Sequence, residues 1–421
     1  MAQTTKDKTE LDVPHWLCRS FFEQFLRRDF ENFEKISKLE VLPTGGNGEN
    51  YTTVLLRVRL EIQLKDGKQA TTSYMAKILP ASPTSQQLVQ SWKVFDKEHN
   101  TYSNYLPEFE QMFRDAGKEI TFGAKYYKIQ NSGLENEAVI LEDLGNSGFR
   151  NIKRQDGMDK EHTQATLEKL AQFHAASAVR YERKGEYPDL YDRNLLNGED
   201  TAEFQEKLAK SLISCLPLYE ATHLANVLKE YTAVAPDMYQ SYAPRRENEF
   251  CVLNHGDAWC NNIMFQYDDN GRIRDTYLVD FQMSRYCSPA QDLIYLLLSS
   301  VNYDIKVDKF HYFIQYYHEK LTESLKLLQY PKPLPSLKGL HKAIFDNSEW
   351  VYPVISLLLP VVLMDSSEEA NMDTIMDNDS NADFRKTMLR TPRIINQLKT
   401  LLPWAHNLGF FEASSVSPYR K

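Results

Sequence analysis

An α+β protein of two lobes, a small β-rich N-terminal lobe and a larger, mainly helical C-terminal lobe, is the architecture the sequence predicts. Three observations carry it. Across residues 38–79 apolar and polar residues alternate with a strand's period, as in Val54-Leu-Leu-Arg-Val-Arg-Leu-Glu-Ile62 and Tyr74-Met-Ala-Lys-Ile-Leu79. Beyond about Gly148 the apolar residues recur with a helical period instead. One hairpin interrupts that second region, where residues 263–267 and 276–279 read as strands around the turn signal Asp268-Asp-Asn-Gly271. At 421 residues the chain is long for one core. The change of period sets the lobes at residues 1–143 and 144–421.

Residues 14–30 place Leu17, Phe21, Phe22, Phe25 and Leu26 on one side of a helix, with Pro14 suited to its first turn. After the alternating strands, residues 86–106 return to helical spacing, with Leu88, Trp92, Phe95, His99 and Tyr102 on one face. A further strand, residues 138–141, ends at Glu142-Asp-Leu144-Gly145, where the lobes join. Residues 365–383 are acidic and Asn-rich. They read as a mobile loop or poorly packed helix, with an acidic lid over a cationic substrate as the alternative.

Composition excludes several classes. Hydrophobic residues make up 42% and charged residues 25%, as in an ordinary globular protein. A net charge of −9 argues against a nucleic-acid binder, which needs a basic face. The first twelve residues are polar, without the apolar core of a signal peptide. The longest apolar stretch, around residues 355–364, is too short to span a bilayer and contains Pro360. Cys18, Cys215, Cys251, Cys260 and Cys287 form no Cys-x-x-Cys pair, which fits reduced thiols rather than structural zinc. The expectation is a cytoplasmic protein with no membrane insertion.

The chemistry concentrates in Leu253-Asn-His255-Gly-Asp257-Ala-Trp-Cys-Asn-Asn262, followed by Asp280-Phe-Gln282. If Gly271 is the hairpin tip, Asn262 and Asp280 lie nine residues to either side of it and meet at its open end. Two oxygen-bearing side chains converging there suit a hard cation such as Mg²⁺. The apolar run Phe250-Cys-Val-Leu253 delivers Asp257 to the same rim. Phosphoryl transfer needs these groups: a carboxylate to orient an acceptor hydroxyl and oxygen ligands for the metal. The bland alternative is an ordinary turn with a solvated Asp257.

Other residues fit the same site. Gly45-Gly46-Asn-Gly48-Glu-Asn50 precedes the first long alternating strand and lets backbone N–H groups approach phosphates, although a plain hairpin turn needs no more. Lys77 stands in an apolar strand, where a lysine is costly unless paired; its nearest credible partner is Glu98. An exposed edge strand is the alternative. His174 falls beside a helical apolar stripe and reads as a buried brace of the loop, and His255 as a holder of Asp257. Asp292 opens a helix and either accepts backbone N–H groups of the loop or simply favours a helix N-terminal turn.

Together these residues make the chain resemble the choline-kinase-like family that includes the insect ecdysteroid kinases, of the aminoglycoside-phosphotransferase and protein-kinase-like fold. The motifs are Gly-Asn-Gly-Glu-Asn-Tyr51, Ala-Lys77, Phe95-x-x-Glu98-x-x-x-Tyr102, Leu141-Glu-Asp-Leu144, Leu170-Ala-x-Phe-His174-Ala, His255-Gly-Asp257-x-Trp259-x-x-Asn262, Asp280-Phe-Gln282 and Ser288-Pro-Ala-x-Asp292-Leu. The resemblance implies ATP and Mg²⁺, with Asp257 as catalytic base and Asn262 and Asp280 as metal ligands. It makes Lys77 and Glu98 the phosphate-positioning pair, and the backbone around Glu142 and Leu144 the adenine site. It also implies a small-molecule alcohol as acceptor, nearer to an ecdysteroid or xenobiotic than to choline or ethanolamine. The aromatic stretches 310–317 and 350–359 are the expected acceptor lining, although Trp350, Tyr352 and Glu349 would also serve a choline cage. A nucleotide-binding module without turnover is the rival of another class.

Overall fold

The structure, a computed structural model, describes residues 13–44, 53–80, 82–129, 138–192, 199–240, 249–365 and 382–412. Gly45, Gly46, Gly48 and Asn50 lie outside the described residues, as does nearly all of the acidic segment 365–383.

The expected small β-rich lobe is present. Its antiparallel sheet contains β1 (Phe33–Pro43), β2 (Val54–Leu64), β3 (Gln69–Ile78), β4 (Tyr126–Tyr127) and β5 (Ala138–Glu142), in the order β1-β2-β3-β5-β4. Leu56, Val58, Leu60 and Ile62 of β2 are buried with Phe22, Phe25 and Leu26 of helix α1 (Arg19–Asp29), forming the lobe's own core. Asp29, at the end of α1, accepts hydrogen bonds from Tyr74 on β3 (3.1 Å) and Tyr127 on β4 (2.7 Å). The helix begins later than expected: residues 14–18 form a turn, with Leu17 N–H on the Pro14 carbonyl at 3.0 Å.

The helix expected over residues 86–106 is broken. It divides into α2 (Pro83–Ser91), α3 (Val94–Asn100), a widened turn (Thr101–Tyr105) and α4 (Leu106–Asp115). Lys93 adopts a left-handed conformation (φ 55°), which ends one helical direction and starts another. Pro107 cannot donate a backbone hydrogen bond, and the turn before it loosens so that Leu106 N–H reaches Thr101 O. Phe95, Tyr102, Phe109 and Phe113 of this segment are buried in the core of the larger lobe.

That lobe is built around α5 (Lys160–Lys184), which packs along α10 (Phe310–Leu327). Between them in sequence come α6 (Glu199–Cys215), α7 (Ala225–Gln240), α8 (Ala290–Ser299) and α9 (Tyr303–Lys306). Two short ladders lie at its edge facing the small lobe: β6 (Val252–Asn254) with β9 (Arg285–Cys287), and the hairpin β7 (Ile263–Tyr267) with β8 (Ile273–Leu278). Gly271, at the tip, has φ 76°, a conformation that suits glycine. Ile263 pairs with Leu278, and Val279 N–H donates to Asn262 O at 3.0 Å, so Asn262 and Asp280 leave the hairpin at its open end. Among the described residues no helix is long and apolar enough to cross a membrane. None of the five cysteines is in a disulfide bond.

Candidate functional site

Lys77 stands on β3, between β2 and β5 rather than on a sheet edge. Its Nζ donates to Glu98 Oε2 at 2.7 Å and to Asp280 Oδ1 at 2.6 Å. The left-handed break before α3 precedes the helix that presents Glu98, which is fully buried. Burial alone would favour a neutral lysine; the two carboxylates outweigh it and hold the Lys77 ammonium above its ordinary value. Glu98 is pushed up to about 7, by burial first, with Lys77 opposing and Asp280 adding repulsion.

The loop from β6 to β7 is held from behind by one carboxylate. Asp292, near the start of α8, accepts from His255 N–H at 2.7 Å and from Gly256 N–H at 2.9 Å, and it touches His174 Nε2 at 3.1 Å. His174 is fixed in turn by the Tyr317 hydroxyl at 2.7 Å. Burial would raise the Asp292 carboxyl, but His174 and the loop N–H groups hold it below the ordinary value. Gly256 has φ 83°, and a Cβ there would meet Met283 O at 2.0 Å, so no other residue fits the turn. The His255 ring receives Asp257 N–H at Nδ1 (3.3 Å) and meets Val279 O at Nε2 (3.0 Å). Those partners define a neutral ring protonated at Nε2, in keeping with burial lowering its pKa.

Asp257 is therefore placed by backbone rather than chance. Asn262 donates its amide to Asp257 Oδ2 at 2.9 Å, and the Tyr295 hydroxyl donates to Oδ1. Burial, then repulsion from Asp280, pushes the Asp257 carboxyl up to about 6 against both hydrogen bonds. Asp280 sits at φ 68°, an unfavourable conformation for a non-glycine residue that the surrounding structure must enforce. Phe281 does so, packed between His255 (4.8 Å), Tyr102 (5.3 Å) and Phe173 (5.6 Å).

A cleft of about 560 Å³ lies between the lobes, with Lys77, Glu98, Asn262 and Asp280 in its wall. Leu55, Met75, Leu141 and Leu144 give it an apolar end beside Glu142. The Glu142 carboxylate is engaged by Ser147 Oγ at 2.9 Å and Lys125 N–H at 3.2 Å. Asp143 pairs with Arg57 at 2.7 Å and caps the following turn through Gly145 N–H. Lys77 thus pairs with Glu98 and Asp280 with Asp257 nearby, and the Glu98 and Asp257 carboxyls are raised by burial first and by repulsion from Asp280, while Arg57, Lys153 and Arg154 line the same cleft. No cluster of three His, Cys, Asp or Glu residues able to hold a metal occurs among the described residues.

Several participants escaped the sequence reading. Tyr295 lies three residues after Asp292, one helical turn along the same face of α8, which was a usable signal. The linker residues Asn151, Lys153 and Gln155 also line the cleft, and Asn151 ties the linker to the loop through Asn261 O at 2.7 Å. The expected aromatic lining is largely core instead. Phe310, Phe313, Ile314 and Tyr317 are buried in the large lobe, and the Trp350 face carries the Arg285 guanidinium at 4.3 Å.

Two lobes around a cleft, with a buried lysine–glutamate pair on one wall and Asn262 and Asp280 on the other, are the arrangement of a kinase-like protein. The chain belongs to the ecdysteroid kinase-like family, whose model matches residues 47–330. Solved structures similar to it include a Ralstonia eutropha protein described as an aminoglycoside phosphotransferase, at 13% identity and TM-score 0.42, with 91% of this chain and 98% of that one covered. Choline kinase from Cryptosporidium parvum is similar at 10% identity and TM-score 0.46, with 92% and 97% covered. Likenesses at this level decide nothing about activity. The comparison with curated proteins gives no match.

Proposed function

We propose that this protein transfers the γ-phosphate of ATP, with Mg²⁺, to the hydroxyl of a small, largely apolar alcohol of the ecdysteroid or xenobiotic kind. The observation that carries the reading is the cluster at Lys77, whose ammonium meets Glu98 and Asp280 with Asp257 close by, on a cleft that Arg57, Lys153 and Arg154 also line. Three carboxylates around one lysine are a poor arrangement for a protein alone and a suitable one for a divalent cation with an anionic ligand. Mg²⁺ needs only one or two protein oxygens beside substrate phosphates, so the lack of a larger acidic cluster does not count against it. Asn262 and Asp280 would hold it, and it would neutralise charge on the transferring phosphoryl group. Lys77, kept charged by Glu98, would bind the phosphates. The backbone from Glu142 to Leu144 would meet adenine beside the apolar end of the cleft. Asp257 would take the acceptor's proton. Five cysteines, none of them in a disulfide, support a cytoplasmic setting.

The acceptor class rests on what surrounds Asp257. Trp259, Cys260 and Val362 are buried in one cluster, and the partly exposed Ile152 and Leu358 packed against it give the neighbourhood of the base an apolar wall. Such a wall favours an apolar alcohol. The Trp350 face that a choline cage would need already holds an internal cation, Arg285. Mass spectrometry of reactions with 20-hydroxyecdysone, other sterols and choline tests the reading. One added phosphate on an apolar alcohol is expected, and turnover of choline alone would overturn the acceptor class.

A further inference from the structure

α8 meets the loop at two points one turn apart. Asp292 is held by the loop's own N–H groups, so the position of Tyr295, three residues on, is set as firmly as the loop itself. From there the Tyr295 hydroxyl reaches Oδ1 of Asp257, while Oδ2 takes the Asn262 amide. A hydroxyl donating a proton to Asp257 is what an acceptor must supply in the proposed reaction. The chain supplies one of its own.

We infer that the Tyr295 hydroxyl holds the place of the acceptor hydroxyl on Asp257, so that this carboxylate does not activate water when no acceptor is bound. The inference rests on the reading of Asp257 as the base. Tyr295 is no rival nucleophile, because burial and the adjacent carboxylate hold its phenol well above its ordinary pKa and keep it a donor. In the suppressed reaction, a water oxygen would bond to the γ-phosphorus as the bond to the β,γ-bridging oxygen breaks. Asp257 would take the water proton, and ADP and phosphate would leave. Water offers the carboxylate only a hydrogen bond like the one it displaces, with no further contact to favour the exchange. An apolar alcohol adds that contact, with the partly exposed Ile152 and Leu358 of the cluster around Trp259. Binding energy from the non-reacting part of the acceptor would then uncover the base only for the correct partner. Tyr295 is on this account a specificity-determining residue that separates alcohols from water.

The test needs no knowledge of the acceptor. Phosphate release from Mg·ATP is measured without any alcohol for the wild-type chain, Tyr295→Phe and Tyr295→Phe/Asp257→Asn. The Phe variant keeps the ring and its packing, and thermal melting checks that it folds. Release should rise about tenfold or more in Tyr295→Phe, on the scale of one lost hydrogen bond to a charged group, and return to the wild-type level in the double variant. A second readout is independent of turnover: ¹H NMR of the ligand-free chain, where the Tyr295 hydroxyl proton held by Asp257 gives a downfield resonance that is missing in Tyr295→Phe. That resonance, with unchanged phosphate release in Tyr295→Phe, overturns the guarding role and leaves Tyr295 a positioning residue. Its absence from the wild-type spectrum rejects the hydrogen bond itself. Calorimetry separates the two levels of failure: if wild type does not bind Mg·ATP the phosphotransfer reading falls, whereas binding without any leak in Tyr295→Phe sinks only the guard.

Discussion

Two regions of this protein bury charge, and they resolve it in opposite ways. Lys306, on α9, is 2% exposed and donates to Leu298 O at 2.7 Å and Gln397 Oε1 at 2.8 Å. No ion pair among the described residues includes it, and burial drives its pKa down to about 7. The lysine solves its problem by giving up a proton to solvent while keeping neutral acceptors. Beside the cleft, Lys77 lies between two carboxylates with a third close by, so this cluster is locally negative although Arg57, Lys153 and Arg154 also line the cavity. Protonation can relieve that charge only in part, leaving Glu98 near 7 and Asp257 near 6. Both sites contain a buried lysine. The one that lines a cavity and stays unbalanced is the one that calls for a ligand.

The contrast breaks most readily at Asp257. Asp257→Asn keeps the shape and can still accept from Asn262, while its amide can donate to the Tyr295 oxygen. Folding should hold and the melting temperature stay close to wild type. Phosphate transfer to an alcohol should fall by about 10²–10⁴, the scale of a lost general base. Turnover within a few-fold of wild type would remove Asp257 from the chemistry and leave the cluster merely acidic. Below the midpoint near 6, transfer by the wild-type chain should fall as Asp257 takes up a proton.

Asp280 and Asn262 test whether the surplus charge is meant for a metal. Either change to Ala should weaken binding of Mg·ATP more than binding of metal-free ATP. Asp280→Ala should have the larger effect, since it removes a full charge. It also removes one of the two partners of Lys77, which should favour metal-free ATP. Calorimetry with and without Mg²⁺ measures both. Equal losses in the two titrations would mean that neither residue holds the metal.

What could be read in advance followed from local counting. Asn262 and Asp280 flank one hairpin, and a glycine tip with equal arms brings them to the same end. Lys77 in an apolar strand demanded a carboxylate, and Glu98 sat on the inward stripe of the next helix. Contacts set by tertiary packing were hidden. Lys77 and Asp280 are separated by 203 positions, and Arg57 and Asp143 by 86. Nothing in Ser91-Trp-Lys93 marks a left-handed break, because lysine is not a turn residue; the fold imposes it. The expected aromatic lining failed for a similar reason, since the sequence places Trp350 in an apolar stretch but does not show that Arg285 fills the space over its ring.

The smallest effect concerns Lys306, and it sharpens the comparison from the other side. Its pKa is about 7 in the folded chain against an ordinary 10.5. Between those values the unfolded chain binds more protons than the folded one, so stability rises with pH across that window. Below about 7 the lysine is protonated in both states and its burial cost is constant; above 10.5 it is neutral in both. The slope attributable to one group is at most about 1.4 kcal/mol per pH unit. Titrating tyrosines contribute at the alkaline end, so the measurement is a difference: urea unfolding from pH 7 to 10 for wild type and Lys306→Met. The Met variant loses hydrogen bonds to Leu298 O and Gln397 Oε1 at every pH. Its stability relative to wild type should therefore decline steadily as pH rises, because only wild type gains. A constant difference would mean that Lys306 stays charged in the folded state, stabilised by a counter-charge, and the two buried lysines would then be alike.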